Sequence, residues 1–531
     1  MPGRTILRRP PTVRFMTACL VVSAALLSTA TVSAADAAGS GPGRAGSAAA
    51  AVPPPGAASE DQADDSERNL PTNPGTPTPI RRTQRSFDPE ASFTAKWTRN
   101  DARQILGQSD LTATGPANSL PLSQTMPEIP EDFPDTNEDV WVWDTWPLTD
   151  GQGNQVTYRG WDVVLSLTAE RNAGYTFDER HTHARIGYFY RRADIPADLR
   201  PRNGGWIYGG DLFPDGASLG TAEWSGSTRI FPDGRIKTFY TAVDFTPPRA
   251  VITLADGAIQ ADSAGVRFTG FTRAQHTPLL EPDGTFYQTP EQNPFFNFRD
   301  PYTFSDPQHP GRTYMVFEGN TGGQTGSYEC QESDLGYLPG DPNAETLEAV
   351  RATGSNFQVG NIGLAVADNA DLSQWHFLPP LLSANCVNAQ TERPEVYIKD
   401  GKYYLFTISH RYTFAESLQG PDGLYGFVGN SIRSDYQPLN QSALSMGNPT
   451  NLNLPPTDPD QNPRQFQAYS HYVMPGGEVT SFIDNVNGRR GGSYAPTVRI
   501  NIAGSRTFVD QNYGRNGLGA YGDIRGNVRW F

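Results

Sequence analysis

Short runs in which apolar and polar positions alternate, or β-branched residues cluster, recur along most of this chain. They include Val163–Leu167, Ile186–Tyr190, Ile236–Ala242, Tyr314–Phe317, Val396–Ile398, Tyr403–Thr407 and Val498–Ile502. Alternation with a period of two is the signature of a strand that buries one face. Asp-Gly pairs begin at 150, 215, 233, 256, 283, 400 and 422, and this dipeptide readily supplies the positive φ of a tight hairpin turn. Val396–Thr407 is the plainest case, two strands around Lys399-Asp400-Gly401-Lys402. Helical periodicity is scarce; Lys96–Leu106 (KWTRNDARQIL) reads as one short helix capped near Asn100 or Asp101. Hairpins repeated from 87 to 531 without alternating helices predict a closed all-β architecture. The length suits a propeller with blades of about 40–50 residues, although no tight repeat fixes their number.

This pattern is missing at the front of the chain. From Gly39 to about Thr83 the residues are Ala, Gly, Pro, Ser and acids, with almost no large apolar side chain. Such a segment cannot bury enough surface to order itself and reads as a mobile tether. Residues 1–34 carry Arg4, Arg8, Arg9 and Arg14 and no acid, then an apolar run from Phe15 to Ala30 and the small-x-small pattern Val32-Ser33-Ala34. That is a secretory signal peptide, with an apolar run too short to span a bilayer. The expected organisation is a signal peptide at 1–34, a tether at 35–86 and a β-propeller domain at 87–531, secreted to the cell exterior.

Export changes what the cysteines mean. Cys19 leaves with the signal; Cys330 and Cys386 remain, and in an oxidising compartment two cysteines favour a disulfide over free thiols. They are too few for a metal site. His181-Thr182-His183 has no third ligand nearby and, beside Asp178, Glu179, Arg180 and Arg185, reads as an exposed charged hairpin. No metal or cofactor is expected. The net charge of −15, about −19 once the four arginines are removed, argues against nucleic acid or anionic membrane as partners. Aromatics at 11 % and 98 glycines plus prolines (53 and 45) fit a turn-rich β protein.

Three strings carry candidate chemistry: Val140–Leu148 (VWVWDTWPL), Phe298–Tyr302 (FRDPY) and Thr391–Val396 (TERPEV). Each sets one carboxylate, Asp144, Asp300 or Glu392, beside an arginine or between tryptophans. Indole faces suit a sugar ring and a guanidinium suits its hydroxyls. Paired carboxylates are the machinery of glycosyl transfer, one kept ionised to attack and one with a raised pKa to act as acid. Taken singly, each string also fits a structural role: a turn-capping aspartate beside buried tryptophans, a plain Arg–Asp salt bridge, or a surface glutamate paired with arginine.

Together these strings resemble the levansucrase and inulosucrase family of bacterial fructosyltransferases, glycoside hydrolase family 68, from about Lys96 to the C-terminus. Trp143-Asp144-Thr145-Trp146-Pro147 is similar to its nucleophile strand, Arg299-Asp300-Pro301 to its stabiliser motif and Glu392-Arg393 to its acid/base motif. Glu223–Ser227 (EWSGS), Phe317–Thr321 (FEGNT) and Tyr469-Ser470-His471 match three further blocks, in family order.

The resemblance implies a five-bladed β-propeller with a central pocket and double displacement on sucrose. In that scheme Asp144 is the nucleophile, Glu392 the acid/base and Asp300 the transition-state stabiliser. Trp143, Trp224, Ser225, Arg299, Gln390, His410 and Tyr469 are the implied sugar-binding and supporting residues. Read singly, His410 also fits a core or turn histidine, and Tyr469 a core tyrosine. A Cys330–Cys386 disulfide like that of some Gram-negative members would close 56 residues and stabilise by roughly 3–4 kcal/mol. Pro294 and Ala389 stand where calcium-binding members have aspartates. The implied partners are sucrose and sugar or fructan acceptors, met by a monomer. A fructofuranosidase that gives the fructosyl group mainly to water is the alternative within the family.

Overall fold

The computed structural model describes residues 84–455 and 462–530; the expected signal peptide and residues 35–83 of the expected tether lie outside the described residues. Five antiparallel blades form the molecule. The first contains Val140–Thr149, Trp161–Glu170, Arg185–Arg192 and Ile207–Asp211; the second contains Ala222–Ile230, Arg235–Phe245, Pro248–Asp262 and Gly265–Gly270. These two join in one sheet only through a short parallel pairing of Leu148 and Thr149 with Thr228 and Arg229. Phe298–Ser305, Thr313–Asn320, Gly360–Ala367 and Trp375–Ser383 make the third blade. Glu392–Lys399, Lys402–Ser409 and Gly423–Gly429 lead the fourth, and Ala468–Val473, Glu478–Val486 and Arg489–Tyr494 the fifth. The first strand of every blade is the innermost, and these five strands pack side by side in a closed ring. Most of their residues are buried, because each has the axis on one side and its own blade on the other.

Each inner strand breaks register with its neighbour at one level. The shifts fall between Trp143 and Trp146, Trp224 and Gly226, Arg299 and Tyr302, Glu392 and Glu395, and Tyr469 and Tyr472. Four non-glycine residues in these bulges have positive φ: Asp144 (47°), Asp300 (63°), Arg393 (44°) and Ser470 (58°). A bulge inserts an unpaired residue and re-aims its side chain. A left-handed aspartate, arginine or serine is strain that a functional site can hold.

The ring is tied at several points. The C-terminal strand Val528–Trp530 pairs in parallel with Val156–Tyr158 on the first blade. Cys330 and Cys386 form the disulfide. Arg99, fully buried, donates to the Cys386 carbonyl at 2.7 Å and pairs with Glu345 at 2.8 Å. Its helix, Arg99–Gln108, lies within the expected segment or two residues beyond it, but the cap is Thr98, in a reciprocal capping box with Asp101. Residues at the end of the expected tether already pair with the fourth blade's segment: Ser86 bridges Ser434, and Asp435 N donates to the Arg85 carbonyl at 2.9 Å.

All seven predicted strands are present within longer ones. The turn at Asp400-Gly401 joins two strands as expected, whereas Asp256-Gly257 lies inside Pro248–Asp262. Gly257 is there for space, since a Cβ would fall 2.3 Å from the Phe271 ring.

Candidate active site

The five bulges bring the three predicted carboxylates together from blades one, three and four. Ser225, in the bulge of blade two, has its Oγ 2.6 Å from Asp300 Oδ1 and 3.2 Å from Asp144 Oδ2. The other oxygen of Asp300 accepts from Arg393 N at 3.1 Å, and Asp300 N donates to Thr241 Oγ1. Burial pushes the Asp300 carboxyl up to about 6; Arg299 opposes this, while the charge of Asp144 adds to it.

Arg299 binds two carboxylates closely, and a third, Asp300 Oδ2, lies 3.7 Å from its Nε. Its Nη2 donates to Glu392 Oε1 at 2.6 Å, and its Nε lies 2.7 Å from Glu318 Oε2. Burial works against its charge, but Glu318, Glu392 and Asp300 outweigh it and raise its pKa. Tyr469, from blade five, donates to Glu392 Oε2 at 2.5 Å. One guanidinium cannot fully compensate two desolvated carboxylates, so their titrations separate. Burial drives Glu318, which is completely enclosed, well up. Glu392 is also desolvated, yet Arg299, His410 and the Tyr469 hydroxyl hold it below the ordinary glutamate range. The upward shift expected at Glu392 falls on Glu318 instead.

The walls come from the remaining predicted residues. His410 stacks on Tyr469 with centroids 3.7 Å apart and an interplanar angle of 16°. Its Nδ1 lies 2.8 Å from Asp422 Oδ2, and although burial lowers its pKa, the Asp422 and Glu392 carboxylates raise it overall. Trp224 lies under the Arg299 guanidinium at 5.5 Å and donates to the His181 carbonyl at 3.0 Å. Trp143 is buried, and its indole N–H has no partner among the described residues. Gln390 Oε1 is likewise buried without a donor. An orphaned donor and an orphaned acceptor beside the carboxylates are groups that ligand hydroxyls can satisfy.

Two residues here were missed or misplaced by sequence reasoning. Glu318 stood inside a recognised block, but nothing in FEGNT marks the glutamate as the partner of Arg299. His181 is not on an exposed hairpin: it lies within the turn Phe177–His183 against the Trp143 ring, centroids 5.6 Å apart. Burial, with Arg180, His410 and Arg299 nearby, drives its pKa well down, so it is neutral. The signal that could have placed it is aromatic, Tyr175 and Phe177 among the charges. At the family's calcium position, Ala389 presents only its carbonyl, which accepts from Asn297 and Asn320 amides at 3.1 and 3.0 Å. No group of three or more His, Cys, Asp or Glu able to hold a metal occurs among the described residues.

Residues 86–525 match the family model described as levansucrase/invertase. The chain belongs to this family. It is 58 % identical over 486 residues to a levansucrase of Gluconacetobacter diazotrophicus, covering 87 % of this chain and 83 % of that one. The crystal structure of levansucrase from that organism superposes with a TM-score of 0.83 at 57 % identity, covering 86 % and 98 % of the two chains. The catalytic domain of a β-fructofuranosidase from Microbacterium saccharophilum K-1 gives 0.83 at 52 % identity, again covering 86 % and 98 %. Membership accounts for the five-bladed ring, and relatives of similar closeness carry the names of both a transferase and a hydrolase.

Proposed function

We propose that this protein is a secreted, monomeric levansucrase that cleaves sucrose by retaining double displacement and passes the fructosyl unit to fructan, another sugar or water. Asp144 attacks C2 of the fructosyl unit while Glu392 protonates the departing glucosyl oxygen. Asp300 accepts hydroxyl hydrogen bonds and its charge favours the oxocarbenium-like state. Glu392, again ionised, then takes the acceptor's proton as that oxygen attacks C2, releasing Asp144. The first step needs a proton on Glu392. Arg299 favours the ionised form of Glu392, and sugar hydroxyls that accept hydrogen bonds from Arg299 weaken that hold.

The observation that carries this reading is the joint hold of Ser225 on Asp144 and Asp300, with Glu392 fixed by Arg299 and Tyr469 across the ring. Secretion rests on the sequence of residues 1–34. The second reading, a β-fructofuranosidase giving its product mainly to water, is favoured by the 52 % identical solved relative of that name. Incubation of the purified chain with sucrose separates the two. A large excess of glucose over fructose, with ethanol-precipitable β-2,6 polymer by NMR, supports transfer; equal amounts of the two sugars throughout support hydrolysis.

A further inference from the structure

A ladder of rings runs outward from the acid/base. The Tyr469 hydroxyl donates to Glu392 at 2.5 Å, His410 stacks on Tyr469, and Tyr412 stacks in turn on His410, with centroids 4.9 Å apart and an interplanar angle of 15°. Exposure rises along it: Tyr469 is 6 % exposed, the His410 side chain 19 % and Tyr412 50 %. Tyr412 sits in the turn Arg411–Thr413, which is anchored at its other residues. Asp422 lies 2.8 Å from His410 Nδ1 and accepts from Arg411 N at 2.7 Å. The buried Arg411 side chain donates to Gln465 Oε1 at 3.1 Å and to the carbonyls of Asn451, Leu452 and Leu454. Thr413 Oγ1 donates to the His410 carbonyl at 2.8 Å, and the Thr413 carbonyl accepts from Ala389 N, next to Gln390.

We propose that Tyr412 is a specificity-determining residue for the acceptor: its exposed ring is a platform for the sugar unit next beyond the one that meets Glu392. This inference rests on the transfer reading given above. A single exposed apolar side chain is by itself ordinary. Of the ten large ones exposed among the described residues, however, Tyr412 is the one whose ring stacks on a residue of the site. The C–H face of a sugar carries partial positive charge and fits the negative face of an aromatic ring. A ring already fixed on an anchored turn also loses little freedom when it binds. An acceptor places one hydroxyl at Glu392 while the rest of it leaves toward solvent, along Tyr469 and His410. The glucosyl unit of sucrose occupies the place of the first acceptor unit, since both meet C2 on the side of Glu392. Tyr412 therefore distinguishes acceptors of two or more units from single sugars.

The test compares Tyr412→Ala and Tyr412→Phe with the unaltered chain at fixed sucrose, with either xylose or a short fructan added as acceptor. Transfer is read as initial glucose release less fructose release. For Tyr412→Ala the expected result is a rise of at least fivefold in the fructan concentration that half-saturates transfer, taken relative to any rise for xylose. Tyr412→Phe keeps the ring face and should hold that ratio within twofold of the unaltered chain. An unchanged ratio in Tyr412→Ala overturns the proposal, whether both acceptors are unaffected or both weaken together. The second outcome would mark a ring that only keeps His410 in place. Equal ratios in the alanine and phenylalanine variants also overturn it, since the ring face would then carry nothing. If the unaltered chain gives equal glucose and fructose at every acceptor concentration, the transfer reading falls and this inference with it.

Discussion

Ser225 and Arg299 each stand between two carboxylates, and that division sets where charge rests in the site. Asp300 shows the consequence for stability. Its folded value of about 6 lies above the ordinary 3.8, so between those values the folded chain holds a proton that the unfolded chain has lost. Stability contributed at this position is therefore present at low pH and is lost as pH rises from about 4 to about 6. Asp300→Asn should abolish turnover and yet raise Tm at pH 7, with a gain that disappears near pH 4; thermal melts across that range check it. At this scale the sequence was informative for most residues that sat in a recognisable string, though not for Glu318. Asp144, Asp300, Glu392, Ser225, Arg299 and Tyr469 all meet as expected. Glu318 and His181 were not legible as site residues because their roles depend on neighbours from other blades.

The bulges of the inner strands aim these side chains. The strands themselves were visible in alternating apolar positions, and the Asp400-Gly401 hairpin in its turn residues. The bulges were not, since one extra residue against its partner strand leaves no mark in composition. Asp256-Gly257 shows the converse, a turn-like pair whose glycine answers to a neighbouring ring. Ser470, at φ 58°, gives a direct measure of the strain in a bulge. Ser470→Gly and Ser470→Val both remove the hydroxyl that accepts from Arg393, but only valine forces a β-branched residue into the left-handed region. Urea unfolding should place the valine variant below the glycine variant by about 1–3 kcal/mol. Equal stabilities would mean that the backbone there is unstrained.

At the scale of the whole molecule, five blades share one axis, and a strand from the far end of the chain pairs onto the first blade. The number of blades could not be read from periodicity, because each blade closes with different edge strands and loops and no common repeat survives. Family resemblance supplied it instead. The Cys330–Cys386 bond was also implied by that resemblance, and it anchors the segment leading to Glu392. A Cys330→Ser, Cys386→Ser double variant should lose roughly 3–4 kcal/mol in urea unfolding under oxidising conditions. A loss below about 1 kcal/mol would show that the unfolded chain is scarcely restricted by the closed loop of 56 residues.

The central claim is that Asp144 carries the fructosyl group between donor and acceptor. The most direct measurement uses Glu392→Gln with β-fructosyl fluoride, whose leaving group needs no acid, so that the ester forms but breaks slowly. Acid quench, proteolysis and mass spectrometry then locate the adduct. One anhydrohexose on the peptide containing Asp144, absent in an Asp144→Asn, Glu392→Gln chain, is the predicted result. An adduct on another carboxylate, or steady turnover by Asp144→Asn alone, would contradict it.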